Sequence, residues 1–214
     1  MFDLSLSFDN GPEPQVTPAV LDLLAARDIR CTFFLLGRKL VLAGARAVAE
    51  RARDEGHWIG NHTWSHGLPL GVRPGPQVAE DEIGRTQAEL GDLAHPDRLF
   101  RPHGGGSVGK QLMSPAVVDY LKDGGFTCVL WNAVPRDYAD PLGWVDRALA
   151  ECASRPWTAM VLHDLPNGAM DHLPRFLDRA LAAGARFRQD FPPDCTPILR
   201  GQVQGDLSGL VTAA

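Results

Sequence analysis

Five short segments of the chain carry side chains able to move protons or hold a cation. They are SFDNGP with Asp9 and Asn10, NHTWSH with His62 and His66, RPHGGG with Arg101, His103 and Gly104, WNAVPRDY with Asp137 and Tyr138, and LHD with His163 and Asp164. An arginine beside an aspartate keeps the carboxylate ionised and fixes its orientation, as a general base requires, so Asp9 and Arg101 are a candidate base and its anchor. His62 and His66 stand four residues apart. If the chain turns helical after Asn61, both imidazoles project from one face and can bind one ion. The bland alternative is two unrelated histidines on a polar loop; with Asp9 and Asn10 in the same set, ligation is the stronger reading. His163 ends the apolar run AMVL, where a lone histidine is more often a satisfied core residue, and the Asp164 that follows tilts the reading towards a proton donor. Taken singly, Asp9 could cap a turn and Arg101 could be a surface cation.

These groups need elements to position them. Candidate strands are LSLSF, CTFFLL (31–36), HWIGNH (57–62), RLFRP (98–102), FTCVLW (126–131), TAMVLH (158–163) and CTPILR (195–200). Helical patterns lie between them: TPAVLDLLAARD with Thr17 as cap and Pro18 at the first helical position, GARAVAERARDEG, QVAEDEIGRTQAELGDL, SPAVVDYLKDGG and LPRFLDRALAAG. Gly56, Gly124 and Gly184 sit where helices should stop. Strands alternating with helices in one domain over residues 1–214 imply an α/β protein, either a barrel or a doubly wound sheet. Both architectures place active residues at the carboxyl ends of their strands. Of the first six strands, all but the second end in ionisable or metal-capable groups. The last residues, QGDLSGLVTAA, read as a loosely held tail.

A net charge of -5, with no basic cluster, argues against a nucleic-acid partner. The longest apolar stretches are only strand length, so no membrane span is expected. MFDLSLSFDNG lacks the basic start of an export signal, which gives a cytoplasmic expectation. Cys31, Cys128, Cys152 and Cys195 are far apart and form no CxxC pair, so they read as buried or free thiols. The GGG run precedes no GK[ST] pattern, and no nucleotide is expected.

In order and spacing the five segments resemble the motifs of the NodB-homology polysaccharide deacetylases, carbohydrate esterase family 4, whose patterns run TFDDGP, H-(S/T)-x-x-H, R-x-P-Y/F-G, D-x-x-D-W and L-x-H. CTFFLLG is also similar to family text, and the resemblance extends over nearly the whole chain. It implies a distorted (β/α) barrel of about seven parallel strands that hydrolyses the N-acetyl group of an N-acetylated sugar and releases acetate. By the same resemblance Asp9 is the base, and Asn10, His62 and His66 hold a divalent metal, zinc with cobalt or nickel as substitutes. Arg101 steadies the base, the backbone N–H at Gly104 stabilises the oxyanion, and Asp137 tunes the acid His163.

Five departures from the family pattern bear on the chemistry. Asn10 replaces a ligand carboxylate; an amide oxygen coordinates without formal charge, so a His-His-Asn set holds an ion less tightly and leaves it more electrophilic. Family members that act on muramic-acid residues of peptidoglycan also carry Asp-Asn here. His103 and Gly104 replace a proline and an aromatic residue, and His103 is open to three readings: substitute ligand, substrate contact, or solvent-facing loop residue. Val134 and Tyr138 replace an aspartate and a tryptophan, which implies an altered sugar subsite. Two other functions stay open: a metal-independent amidohydrolase acting on a small amide or ureide, and a degenerate barrel that binds carbohydrate without turnover. The intact set Asp9, His62, His66, Arg101, Asp137 and His163 speaks against the second.

Overall fold

The computed structural model describes residues 1–213. Its strands are β1 (Phe2–Gly11), β2 (Thr32–Leu35), β3 (Trp58–Asn61), β4 (Leu99–Phe100), β5 (Thr127–Cys128), β6 (Trp157–His163), β7 (Ala185–Arg188), β8 (Ile198–Leu199) and β9 (Gln202–Val203). They form one sheet in the order β6-β1-β2-β3-β4-β5-β8-β9, with β7 paired to β1. All pairings among β1 to β7 are parallel. The sheet curls until Ala133, beyond β5, meets β6: Ala133 N–H donates to the Ala159 carbonyl at 3.2 Å, and Val161 N–H to the Ala133 carbonyl at 3.0 Å. This is the expected distorted barrel, closed by a loop rather than a ladder.

Two of the strand expectations need correction. CTPILR supplies β8, but antiparallel to β5 and followed by antiparallel β9. The seventh parallel strand is β7, ARFR, whose two arginines hide any apolar run. It fits because β1 is long: β6 takes one edge over Asp3–Asp9, while β7 and β2 share the other, at Phe2–Ser5 and Ser7–Gly11.

The helices are α1 (Thr17–Ala25), α2 (Gly37–Leu40), α3 (Ala45–Asp54), α4 (Arg85–Leu90, entered through a π-helical turn, Glu80–Gly84), α5 (Pro115–Asp123), α6 (Trp144–Ala153) and α7 (Leu173–Ala182). Ser114 caps α5 by accepting from Val117 N–H at 3.3 Å, with Pro115 at the first helical position. Thr17 is not the cap of α1. Its hydroxyl donates to Asp164 and accepts from Glu13 N–H at 2.9 Å, tying α1 to the end of β6. Gly125, at φ 67°, rather than Gly124 takes the left-handed turn after α5. α6 is not among the expected helices, yet it buries Trp144, Val145, Ala148 and Cys152 along one face.

Strand parity decides what each side of the sheet does. Leu4, Leu6 and Phe8 of β1 point outwards into the main core with Val20, Leu21, Phe176 and Leu177. Ser5, Ser7 and Asp9 lie on the opposite, inner face. A second core surrounds Phe100, Val117, Leu121 and Ile198, and here the tail expectation fails. Leu207, Leu210 and Val211 pack against this core, and Met113 N–H donates to the Leu210 carbonyl at 3.2 Å. All four cysteines are free and buried. Among the described residues, no helix is long and apolar enough to cross a membrane.

Candidate active site

Parity also selects the residues that meet. Asp9 continues the inner face after Ser7, His62 after Gly60, Arg101 after Leu99 and His163 after Val161. Asp9 is the register partner of His163 across β1 and β6. Asn61 is the partner of Phe100 across β3 and β4, so His62 and Arg101 emerge side by side one residue later. Gly60 has to be glycine, since a Cβ there would lie 2.6 Å from the Phe34 ring inside the barrel.

Arg101 is fully buried, with its guanidinium 4.0 Å above the Phe34 ring centroid. It donates to Asp9 Oδ1 at 2.7 Å, Ser7 Oγ at 2.6 Å and the Val129 carbonyl at 3.3 Å. Burial alone would raise the Asp9 carboxyl, but Arg101, with His62 and His163, outweighs it and holds the group below the usual carboxylate range. The other Asp9 oxygen lies 3.4 Å from His62 Nε2. His62 Nδ1 is 2.8 Å from the Arg101 carbonyl. A carbonyl only accepts, so Nδ1 carries the proton and Nε2 presents its lone pair to the pocket. Burial pushes His62 down to about 4, which keeps it neutral at physiological pH.

His163 is held by Asp137 twice: its backbone N–H donates to Oδ2 at 2.7 Å, and its Nδ1 pairs with Oδ1 at 2.9 Å. Burial lowers the imidazole's pKa, but the Asp137 hydrogen bond and charge, aided by Asp9 and Asp164, bring it above the ordinary histidine value. Tyr138 stands edge-on to His163, with ring centroids 5.0 Å apart.

The remaining candidates stand on loops. No helix follows Asn61; Thr63 and His66 instead adopt φ of 72° and 51°. The His62 and His66 rings nevertheless lie 5.2 Å apart, centroid to centroid. His66 is pushed down to about 3 by burial and by His62 and His103. The His103 ring lies against that of His66, tilted by 40° with 3.8 Å between centroids. Its Nδ1 accepts weakly from Gly105 N–H at 3.5 Å, so it belongs to the pocket wall rather than to open solvent. Among the described residues, nothing in the protein accepts from the Gly104 N–H, while its carbonyl accepts from Ser107 N–H at 3.2 Å.

Asn10 forms a bulge in β1, where the register with β2 slips between Asp9 and Gly11. Its φ of 73° is one that asparagine tolerates better than most residues. Its Oδ1 is buried without a hydrogen-bond partner, yet Asn10 is not among the residues lining the pocket. Among the described residues, no three histidine, cysteine, aspartate or glutamate side chains form a ready metal cluster. Two neutral imidazoles and an orphaned amide oxygen are nonetheless donors of the type that suits zinc, cobalt or nickel.

The pocket, with about 490 Å³ of open space, joins these groups to an apolar wall of Trp131, Val134 and Val161. Three contributors are missed or only partly read in the sequence. Ser7 is one of the serines alternating in LSLSF, and strand parity with Asp9 could have found it. Trp131 lies in a quoted segment but fits no motif position. Asp164 reads in the sequence only as a neighbour of His163; its full burial against Gly11 and Thr17, which pushes it up to about 7, shows only once α1 is seen packed on it.

The sequence profile of the polysaccharide deacetylase family matches residues 3–129, more than half of the chain. A peptidoglycan-N-acetylglucosamine deacetylase of Bacillus cereus is 29% identical over 86% of this chain and 66% of its own length. A chitooligosaccharide deacetylase of Bradyrhizobium is 32% identical over 74% of this chain and 69% of its own length. The chain thus spans about two thirds of each of these relatives. A solved structure of T48 deacetylase with substrate is 26% identical, superposes with a TM-score of 0.72, and covers 88% of both chains. The matched profile includes the strand ends that carry Asp9, His62 and Arg101, and the chain belongs to the polysaccharide deacetylase family.

Proposed function

We propose that the chain is a metal-dependent hydrolase of a non-peptide amide bond, removing the N-acetyl group of an amino sugar or oligosaccharide as acetate. One observation carries this reading: Asp9 and His163 are register partners whose surroundings push their pKa values in opposite directions. A pair separated in this way can act as base and acid at one pH. Asp9, held ionised by Arg101, takes the proton of the attacking water. His163, held by Asp137 at Nδ1, gives a proton from Nε2 to the departing amine. The free Gly104 N–H is available to the carbonyl oxygen as it gains charge. His62, His66 and Asn10 would hold the divalent cation, which when bound polarises the amide carbonyl and acidifies water. Trp131, Val134 and Tyr138 give the pocket an apolar wall suited to an acetyl group and one face of a sugar ring.

The metal-independent amidohydrolase reading has one supporting observation, the placement of Asn10 outside the pocket lining. Acetate release from N-acetylglucosamine oligomers, with and without chelator, decides between the two. The expected result is activity that chelation abolishes and zinc restores, lowered about 10²- to 10⁴-fold by Asp9→Asn. Activity that survives chelation would favour the second reading. Absence of acetate release from every acetylated sugar would sink the first.

A further inference from the structure

The loop between the two imidazoles, Thr63 to Ser65, has no regular hydrogen-bond ladder, and Thr63 and His66 adopt conformations that disfavour residues with a Cβ. A carboxylate from outside the five motifs holds it. Glu82 lies in the π-helical turn before α4, with its side chain 4% exposed. Its Oε2 accepts from Trp64 N–H at 3.0 Å and Ser65 N–H at 2.8 Å. Its Oε1 accepts from Ser65 Oγ at 2.6 Å and from the Arg73 guanidinium. The next residue of the same turn secures the start of the loop: the Ile83 carbonyl accepts from Asn61 Nδ2 at 2.9 Å, while Asn61 Oδ1 accepts from Thr63 N–H at 3.0 Å. Burial works against the Glu82 charge, but these donors outweigh it and hold the carboxyl below its ordinary range. A π-helical turn at this point agrees with the tendency of such turns to occur at functional sites.

Glu82 does not line the pocket, so any effect on chemistry passes through the loop. We propose that Glu82 is a positioning residue for the cation site, fixing Trp64 and Ser65 so that the His66 imidazole is presented beside that of His62. The inference rests on the reading of those two histidines as ligands. Glutamine has nearly the same shape as glutamate, but its NH₂ group must face either the two backbone N–H groups or Arg73. In the first orientation the strain falls on the segment that carries His66; in the second Arg73 is displaced, and in both the charge that gathers these donors is lost.

Zinc titration by calorimetry tests the role apart from turnover. Glu82→Gln is expected to weaken zinc about 10- to 100-fold, the usual effect of losing a group that orients a ligand, with Glu82→Asp retaining more affinity than Gln. Leu177→Ala, which opens a cavity in the main core, is expected to lower the melting temperature but keep native zinc affinity. Zinc binding by Glu82→Gln within about twofold of native would overturn the proposal, as would an equal loss in Leu177→Ala. His66→Ala separates the two levels. Unchanged affinity in that variant defeats the cation reading itself, whereas loss there but not in Glu82→Gln defeats only the role of Glu82. If Glu82→Gln does not fold, Ser65→Ala removes one of the four bonds and should weaken zinc about threefold, with native affinity counting against the proposal.

Discussion

Asp9 and His163 stand on β1 and β6, which pair without a break from Asp3–Trp157 to Asp9–His163. His66, His103 and Gly104 stand on loops that leave β3, a strand of four residues, and β4, a strand of two. On the first side the backbone ladder itself sets the distance between Asp9 and His163. On the second, no ladder sets the spacing: Gly37 N–H and Arg38 N–H donate to the Thr63 and Trp64 carbonyls at 3.1 and 3.2 Å. Side chains do the rest, Glu82 at Trp64 and Ser65, Asn61 at Thr63, and Gln111 Nε2 at the Ser107 carbonyl at 3.0 Å. The half of the pocket built around Asp9 and His163 is therefore as stable as the sheet. The half proposed to meet cation and substrate depends on a few hydrogen bonds, and could change its specificity without disturbing the sheet.

Removing the buried charge that joins the halves should have the largest effect. Arg101→Met leaves Asp9 ionised without its partner, and urea unfolding should show a loss of about 3–5 kcal/mol, the range for breaking a buried ion pair from one side. A loss below about 1 kcal/mol, the worth of a surface pair, would mean that water reaches Asp9 and that the first half is less rigid than its ladder implies. Asp137→Asn should have the next largest effect, read in the pH profile. His163 donates only while protonated, so kcat/KM should fall as pH rises through its elevated pKa. Without the Asp137 charge that alkaline limb should move to lower pH; an unmoved limb would remove His163 from the donor role. The same pair contributes stability that is fully present below about pH 6.5, the unfolded value, and is lost as pH rises through the folded one. The smallest effect should come from ending the chain after Gly205. This removes Leu207, Leu210 and Val211 from the second core and should cost about 2 kcal/mol in thermal unfolding. The alkaline limb should stay in place, and its displacement would show that the two halves are mechanically coupled.

The chemistry of the first half was legible because parity is a local property. Alternation in LSLSFD places Asp9 on the face of Ser5 and Ser7, and the apolar run before His163 does the same for β6. The second half was less legible for a physical reason. Glu82 contacts a backbone 17 residues away in sequence, through bonds that leave no periodic trace. The segment around it therefore reads as an ordinary amphipathic helix. The helical turn expected after Asn61 is absent, yet the rings still approach, because the left-handed conformations at Thr63 and His66 turn the chain back. The tail was misread and β7 missed on composition: small and polar residues surround Leu207, Leu210 and Val211, and arginines flank Phe187, so each hides the few apolar contacts that anchor it.

Arg101, lying across Phe34 inside the barrel, has a consequence for traffic. With no exposed surface of its own, it plugs the barrel axis behind Asp9 with side-chain atoms. A small acid released beside Asp9 then faces packed protein on that side, and product-inhibition kinetics are expected to show the larger amine departing first.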